Sequence, residues 1–172
     1  MTLSPIRRSL LSAVSTVAVL VASTAPVMAG DEAKSVPFKA GIVIAEVLGG
    51  GNANCGATGM ITGSGHATHL GRVTLSSYDC INFSSPTSFS FETLNGTKVV
   101  LTAANGDQLF ATYAGLAKPQ PGGILVLSGT FTFTGGTGRF AGATGKGMID
   151  GVEEIATSPA RGVLALSGLI SY

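Results

Sequence analysis

The chain of 172 residues contains no tryptophan, and only 11% of its residues are charged. Its lysines and arginines are not clustered, so the sequence does not predict a basic surface that would bind nucleic acid or an anionic membrane. Beyond the N-terminal region no stretch reaches the ~18 consecutive apolar residues of a transmembrane helix. The two histidines, His66 and His69, would point to opposite faces of a strand, which argues against a shared metal. We therefore expect no metal, no cofactor and no membrane span.

The N-terminal residues are typical of a signal peptide. Arg7 and Arg8 form a positive n-region, Leu10 to Ala22 an apolar h-region, and Val27-Met28-Ala29 a small-residue cleavage pattern. We predict cleavage after Ala29 and a secreted or periplasmic protein. The arginine pair also raises twin-arginine export, but its flanking residues fit that pattern only loosely, so ordinary Sec export is favoured.

Residues 30–172 are then a single domain, because 172 residues less 29 leave 143, enough for one core. Without Arg7 and Arg8 the domain has 8 basic and 9 acidic residues, a formal charge of −1. Its two cysteines, Cys55 and Cys80, predict a disulfide in an oxidising compartment. A reactive thiol is disfavoured because no histidine or lysine is adjacent to lower a cysteine pKa.

Threonine, valine, phenylalanine and glycine predict an all-β domain. Alternating patterns predict about eight strands and no helix beyond the signal peptide. Asn95-Gly96 and Asn105-Gly106 are strong hairpin signals, so residues 87–115 are expected to form a three-stranded meander. The proline-containing stretch 118–123 is expected to be a loop. The other predicted strands cover residues 36–48, 57–69, 72–81, 124–134, 146–152 and 162–171.

Antiparallel strands at this spacing must stack as a sandwich or close as a barrel to remove their edges. Glycines inside several strands favour tight coiling and closure. We predict an eight-stranded antiparallel β-barrel, whose interior can hold either packed side chains or one small ligand.

The stretch from Thr130 to Gly147 joins a strand to a glycine-rich corner that holds Arg139 and Phe140. Gly136, Gly138 and Ala141 match a dinucleotide fingerprint in spacing, but no helical pattern follows, so nucleotide binding is strongly disfavoured. A structural corner is favoured, in which Phe140 plugs the barrel end and Arg139 bonds loop carbonyls or a carboxylate. The corner resembles the G-G-[ST]-G-x-F-x-G-x-x-G motif of the allene oxide cyclase and dirigent protein superfamily. The matching residues are Gly135, Gly136, Thr137, Gly138, Phe140, Gly142 and Gly145.

Residues 68–72 and 103–107 also resemble small secreted bacterial proteins with an allene oxide cyclase barrel-like domain. The resemblance implies an eight-stranded barrel with an apolar cavity, often assembled into trimers. It carries over no catalytic residue, because the polar residues of the plant proteins align with nothing here by motif, and a shared fold does not imply a shared function.

Candidate site residues are few, and no catalytic residue is assigned. Glu46, His69 and Arg72 are candidate polar guides for chemistry. Glu46 lies in an apolar stretch, so it either faces outward or is buried with Arg72 or Arg139 as partner. Asp79, Asp107 and Asp150 are interpreted as turn formers, and Glu153 and Glu154 as solvated. The candidates for ligand binding are Tyr78, Phe110, Tyr113, Phe131, Phe133 and Arg139, although core packing is the commoner fate of such aromatic residues.

Three functions remain open. The first is an exported barrel that binds a small apolar or aromatic molecule without chemistry of its own. The second is a cyclase- or dirigent-like protein that steers a reactive intermediate, and the third is a structural or adhesive module with a filled interior. A wholly apolar cavity favours the first, a cavity with a charged residue in its wall favours the second, and a solid interior contradicts both.

Overall fold

The structure is a computed structural model that describes residues 34–85 and 87–172. The predicted signal peptide, with its cleavage site, lies outside the described residues. No helix in the described part of the chain is long and apolar enough to cross a membrane.

Nine β-strands account for most of the described residues. Each predicted strand is present, and most extend a few residues further than the sequence pattern indicated. The strands are β1 (Val36–Gly49), β2 (Ala57–Ala67), β3 (Gly71–Ser85), β4 (Ser88–Thr93), β5 (Val99–Ala103), β6 (Gln108–Gln120), β7 (Ile124–Gly136), β8 (Thr144–Glu154) and β9 (Ala160–Ser171).

The strands close into an antiparallel barrel, as predicted. The order of hydrogen-bonded strands round the barrel is β1, β9, β8, β7, β6, β4, β3 and β2. Strand β2 pairs with both β3 and β1 and so closes the barrel. The short strands β4 and β5 share the eighth position, since both pair with β3 on one side and with β6 on the other. The barrel therefore has eight strand positions filled by nine segments.

The predicted three-stranded meander is wrong in its first turn. Asn95 and Gly96 do form a tight turn, closed by the Thr97 amide donating to the Leu94 carbonyl, with Gly96 at φ +80°. Instead of reversing the chain, this turn offsets it, so β5 continues in line with β4. The second signal, Asn105-Gly106, does form the hairpin from β5 to β6. An Asn-Gly pair favours a tight turn, but the neighbouring strands decide whether the chain reverses.

The expected loop at 118–123 is also wrong in its first half, because β6 continues to Gln120 through Pro119. Pro119 pairs with Leu125 of β7, while the pairing of β6 with β4 has already ended at Ala117. Proline has no N–H group, so it is tolerated in a strand at a position where no neighbouring strand needs a hydrogen bond from it.

One end of the barrel, called the base here, is densely packed. Phe38, Leu109, Phe140 and Ile170 are all fully buried there. The Phe38 ring meets the rings of Phe131 and Phe133 edge-on at centroid distances of 5.9 and 4.9 Å. Aromatic rings packed in this way bury large apolar areas, so the base is a substantial part of the barrel's hydrophobic core.

The glycine-rich corner closes the base, as predicted. It contains one turn of 3₁₀ helix, Gly138–Phe140, between β7 and β8. Gly138 has φ +56°, and a Cβ at this position would overlap the Asp107 carboxylate. The Arg139 guanidinium donates to the His69 carbonyl and lies 3.7 Å from Asp107. The corner is therefore an architectural element, with Phe140 as its plug.

The predicted disulfide between Cys55 and Cys80 is present, with Cα atoms 5.2 Å apart. It ties the loop between β1 and β2 to β3, and both cysteines are buried. A buried disulfide indicates an oxidising compartment, such as the periplasm or the cell exterior.

Candidate functional site

The end of the barrel opposite the base, called the mouth here, is hollow. A cavity of about 280 Å³ lies within it. Leu48, Phe83 and Ile155 line this cavity near strand ends and are exposed by 52%, 63% and 40%, so they form its rim. The cavity therefore opens to solvent at the mouth and ends against the packed base.

Almost all of the cavity wall is apolar. Its side chains come from strands all round the barrel, because inward-facing residues alternate with outward-facing ones along each strand. The aliphatic and aromatic wall residues include Ile44, Ile61, Leu75, Ile81, Phe89, Phe91, Val99, Leu101, Leu125, Leu127, Phe131, Phe133, Ile149, Leu164 and Leu166.

Three carboxyl groups interrupt this apolar wall, and they are called the acidic cluster here. They belong to Glu46 on β1, Asp79 on β3 and Glu153 on β8, with exposed fractions of 5%, 4% and 4%. Each lies in phase with inward-facing residues of its strand, so the strand pleat turns it to the interior. In the described structure one oxygen of each carboxyl, Oε1 or Oδ1, has no hydrogen-bond partner.

Small residues on the intervening strands make room for the cluster. Gly59 of β2 pairs with Asp79, while Ala160 and Gly162 of β9 pair with Glu46 and Glu153. A Cβ at Gly59 would overlap both the Oε1 atom of Glu46 and the Oδ1 atom of Asp79. These two oxygens therefore lie side by side over the α-carbon of Gly59.

Burial and mutual repulsion raise the pKa values of the cluster. Burial is the main reason that the pKa of Glu46 rises to about 10, and the negative charges of Asp79 and Glu153 raise it further. Burial also raises the pKa of Asp79 to about 6, and the neighbouring Glu46 carboxyl offsets only part of this rise. The pKa of Glu153 is raised by burial as well. At neutral pH, Glu46 thus holds a proton while Asp79 is largely ionised.

A tyrosine stands beside the cluster. The hydroxyl of Ser77, on β3, donates to the Tyr113 hydroxyl at 3.3 Å. Burial raises the pKa of Tyr113 above its ordinary value, and the negative charge of Asp79 adds to this effect. The phenol therefore stays protonated, so it can act as a hydrogen-bond donor within the cavity.

The residues expected from the sequence divide into two groups. Glu46, Tyr113, Phe131 and Phe133 line the cavity. Glu46 is buried rather than outward-facing, and carboxyl groups surround it in place of the expected Arg72 or Arg139.

The other candidates lie away from the cavity. Arg72 is exposed on β3, and Tyr78 is 49% exposed on the outer face of the same strand. Phe110 carries the Lys98 ammonium group 3.3 Å above its ring centre. His69 and Arg139 contact one another at the base, where the Nε2–H group of the His69 ring also donates to the Pro37 carbonyl at 2.9 Å.

Two members of the acidic cluster were misinterpreted from the sequence. Asp79 is a buried strand residue and not a turn former, and Glu153 is buried rather than solvated. Asp150 lies on the outer face of β8, also outside any turn, while Asp107 does lie in a turn and Glu154 is exposed. Asp79 follows Val73, Leu75 and Ser77 at every second position of β3, and all four face inward. The alternation along the strand therefore predicted that Asp79 faces the interior.

The fold and site together define a closed β-barrel with a packed base and a hollow, acid-lined mouth. Among the described residues, no group of three or more histidine, cysteine, aspartate or glutamate side chains has an arrangement that could hold a metal ion. No protein-family model matches the chain, and no curated protein sequence matches it.

Proposed function

We propose that this protein is exported and binds a small, largely apolar molecule in the mouth of its barrel. The observation that carries the proposal is the cavity of about 280 Å³ with a mainly aliphatic and aromatic wall. Apolar cavities with a few convergent polar groups are the usual form of small-molecule sites. A cavity of this size argues against a module whose interior is simply filled. The disulfide and the predicted signal peptide support export.

The acidic cluster favours a second function, in which a cyclase- or dirigent-like barrel steers a reactive intermediate. A charged residue in the cavity wall is the feature that separates this function from simple binding. Glu46, protonated at neutral pH, can donate a proton, and ionised Asp79 can accept one. Membership of the allene oxide cyclase and dirigent superfamily remains a proposal, supported by the eight-stranded closure and by the glycine corner at the base.

Assembly into homo-oligomers, which the resemblance implies, is also a proposal. Four valines on adjacent strands form an exposed row on the outer wall: Val43, Val163, Val152 and Val126. Their exposed fractions are 62%, 54%, 43% and 42%. Contiguous exposed apolar surface is a common property of protein interfaces.

Binding is tested with a neutral fluorescent probe, N-phenyl-1-naphthylamine, and two variants of β6. Ala117 is 1% exposed and faces the cavity, whereas Ala114 faces solvent on the same strand. We expect the wild-type protein and Ala114→Trp to bind the probe with enhanced fluorescence. Ala117→Trp fills the cavity, so its binding should weaken at least tenfold. Equal binding by both variants, or no binding by the wild type, contradicts the proposal.

Native mass spectrometry of protein purified from its own host complements the probe. A retained small molecule would identify the ligand, and the same spectrum reports the oligomeric state. A ligand that dissociates from Ala117→Trp but stays on Ala114→Trp would locate it in the cavity.

A further inference from the structure

The acidic cluster has no basic side chain beside it in the described cavity wall. Of the described residues that line the cavity, none is a lysine, an arginine or a histidine. The ionisable groups that face one another there are Glu46, Asp79, Glu153 and Tyr113, and all four are neutral or negative. Buried charges in proteins are normally paired or hydrogen-bonded, so this arrangement lacks a positive partner.

We propose that the ligand is an organic cation, an apolar molecule with one protonated amine, whose ammonium group binds between Glu46, Asp79 and Glu153. This inference rests on the proposed binding function and specifies the chemical class of its ligand. The unpartnered oxygens are the acceptors, because each is more than nine-tenths buried and lies in the cavity wall. An ammonium group has three donors, which matches three separate carboxyl groups.

The energetics favour a cation for a second reason. The free-energy cost of removing the carboxyl groups from water belongs to the folding of the protein. It therefore does not reduce the free energy of ligand binding. An incoming ammonium group relieves the repulsion within the cluster and makes charge-assisted hydrogen bonds, which are about twice as strong as neutral ones. A neutral ligand of the same shape can form hydrogen bonds there, but it lacks the attraction between opposite charges.

The remainder of the wall specifies the rest of the ligand. Aromatic side chains, including Phe91 and Phe131, also line the cavity. Tyr113 keeps its proton and offers one neutral donor. The cavity therefore suits a compact ring system or a short branched chain with one amine, and it disfavours ligands with a carboxylate or phosphate.

The test compares three probes that share one ring system: 1-naphthylmethylamine, 1-naphthylmethanol and 1-naphthoate. The chain contains no tryptophan, so naphthalene fluorescence anisotropy can be followed against a weak protein background. At pH 7.5 we expect the amine to bind at least tenfold more tightly than the alcohol, and the naphthoate to bind weakest. The preference should persist in 0.5 M NaCl, since buried charges are poorly screened.

A matched pair of variants assigns this preference to the cluster. Asp79→Asn removes the ionised member, so the ratio of amine to alcohol affinity should fall to within threefold of unity. Asp150→Asn makes the same chemical change on the exposed face of β8 and should leave the ratio unchanged. Between pH 5 and pH 8 the amine affinity should rise in the wild type as the cluster ionises, while the alcohol affinity stays flat.

The outcomes separate this inference from the proposed function. Equal binding of amine and alcohol overturns the inference and leaves apolar binding intact. No binding of any probe overturns both. Displacement of the amine by millimolar Ca²⁺ would show that the cluster prefers a metal ion, and it too overturns the inference. Because the comparison of probes uses the wild-type protein, it remains decisive even if a variant fails to fold.

Discussion

Replacement of Asp79 by asparagine should stabilise the barrel at high pH and leave its stability unchanged at low pH. Burial raises the pKa of Asp79 from an ordinary 3.8 to about 6, and the side chain is only 4% exposed. The folded protein therefore holds a proton that the unfolded chain has already released. This penalty is absent below about pH 4 and complete once the pH exceeds about 6, so stability falls as the pH rises through this window.

The magnitude follows from the shift. Two pKa units correspond to about 3 kcal/mol, at about 1.4 kcal/mol for each unit. For a domain of this size 1 kcal/mol changes the Tm by about 3–5 °C, so Asp79→Asn should raise the Tm by roughly 10 °C at pH 8. The asparagine amide also relieves Glu46 of one negative neighbour while it keeps donors and an acceptor in the same place.

Thermal unfolding at pH 4 and pH 8, followed by circular dichroism, measures this difference, with Asp150→Asn as the matched surface control. At pH 4 the wild type and Asp79→Asn should melt within a few degrees of each other. If Asp79→Asn is less stable than the wild type at pH 8, the Asp79 carboxylate has a stabilising partner and the account of the cluster is wrong. An equal gain at both pH values would show that charge is not the cause.

Two further predictions concern glycines. Gly138→Val should lower the free energy of unfolding by at least about 2 kcal/mol, because a branched residue is strained at φ +56° and its Cβ overlaps Asp107. Gly142→Val has φ +78° but no atom within 4 Å of its Cβ, so it should lower the free energy of unfolding by less. Denaturant midpoints compare the two variants, and an unchanged midpoint for Gly138→Val would contradict the role of the corner. Gly59→Ala should both destabilise the protein and displace Glu46 and Asp79, whereas Gly41→Ala, with open space around its Cβ, should change the midpoint little. Similar midpoints for these two alanine variants would show that the cluster is not packed against Gly59.

The barrel was predictable from the sequence because its signals are local. Alternation along a strand and the glycine corner at 135–145 each depend on a few neighbouring residues. The continuation of β5 in line with β4 was not predictable, because it depends on the long strands β3 and β6. The two short strands lie end to end between them and pair with both. Turn chemistry at Asn95-Gly96 contains no information about those partners.

Only one of the three residues of the acidic cluster was recognised as a candidate from the sequence, for a similar reason. Glu46 stood out because its surroundings in the sequence are apolar, whereas Asp79 is followed by a cysteine and Glu153 by a second glutamate. The three residues come from β1, β3 and β8, and only closure of the barrel brings them together. Their inward direction could be obtained from the strand phase, but their proximity could not.

The division between a packed base and a hollow mouth also separates two kinds of evolutionary constraint. Substitutions at the base act on a core that includes Phe38, Phe140 and Ile170, and they put folding itself at risk. Substitutions around the rim, at exposed residues such as Leu48 and Phe83, alter the opening of the cavity with little cost to the stability of the barrel. If the proposed binding function holds, a scaffold built in this way can change its ligand while it keeps its architecture, which makes the mouth a practical starting point for engineering binding specificity.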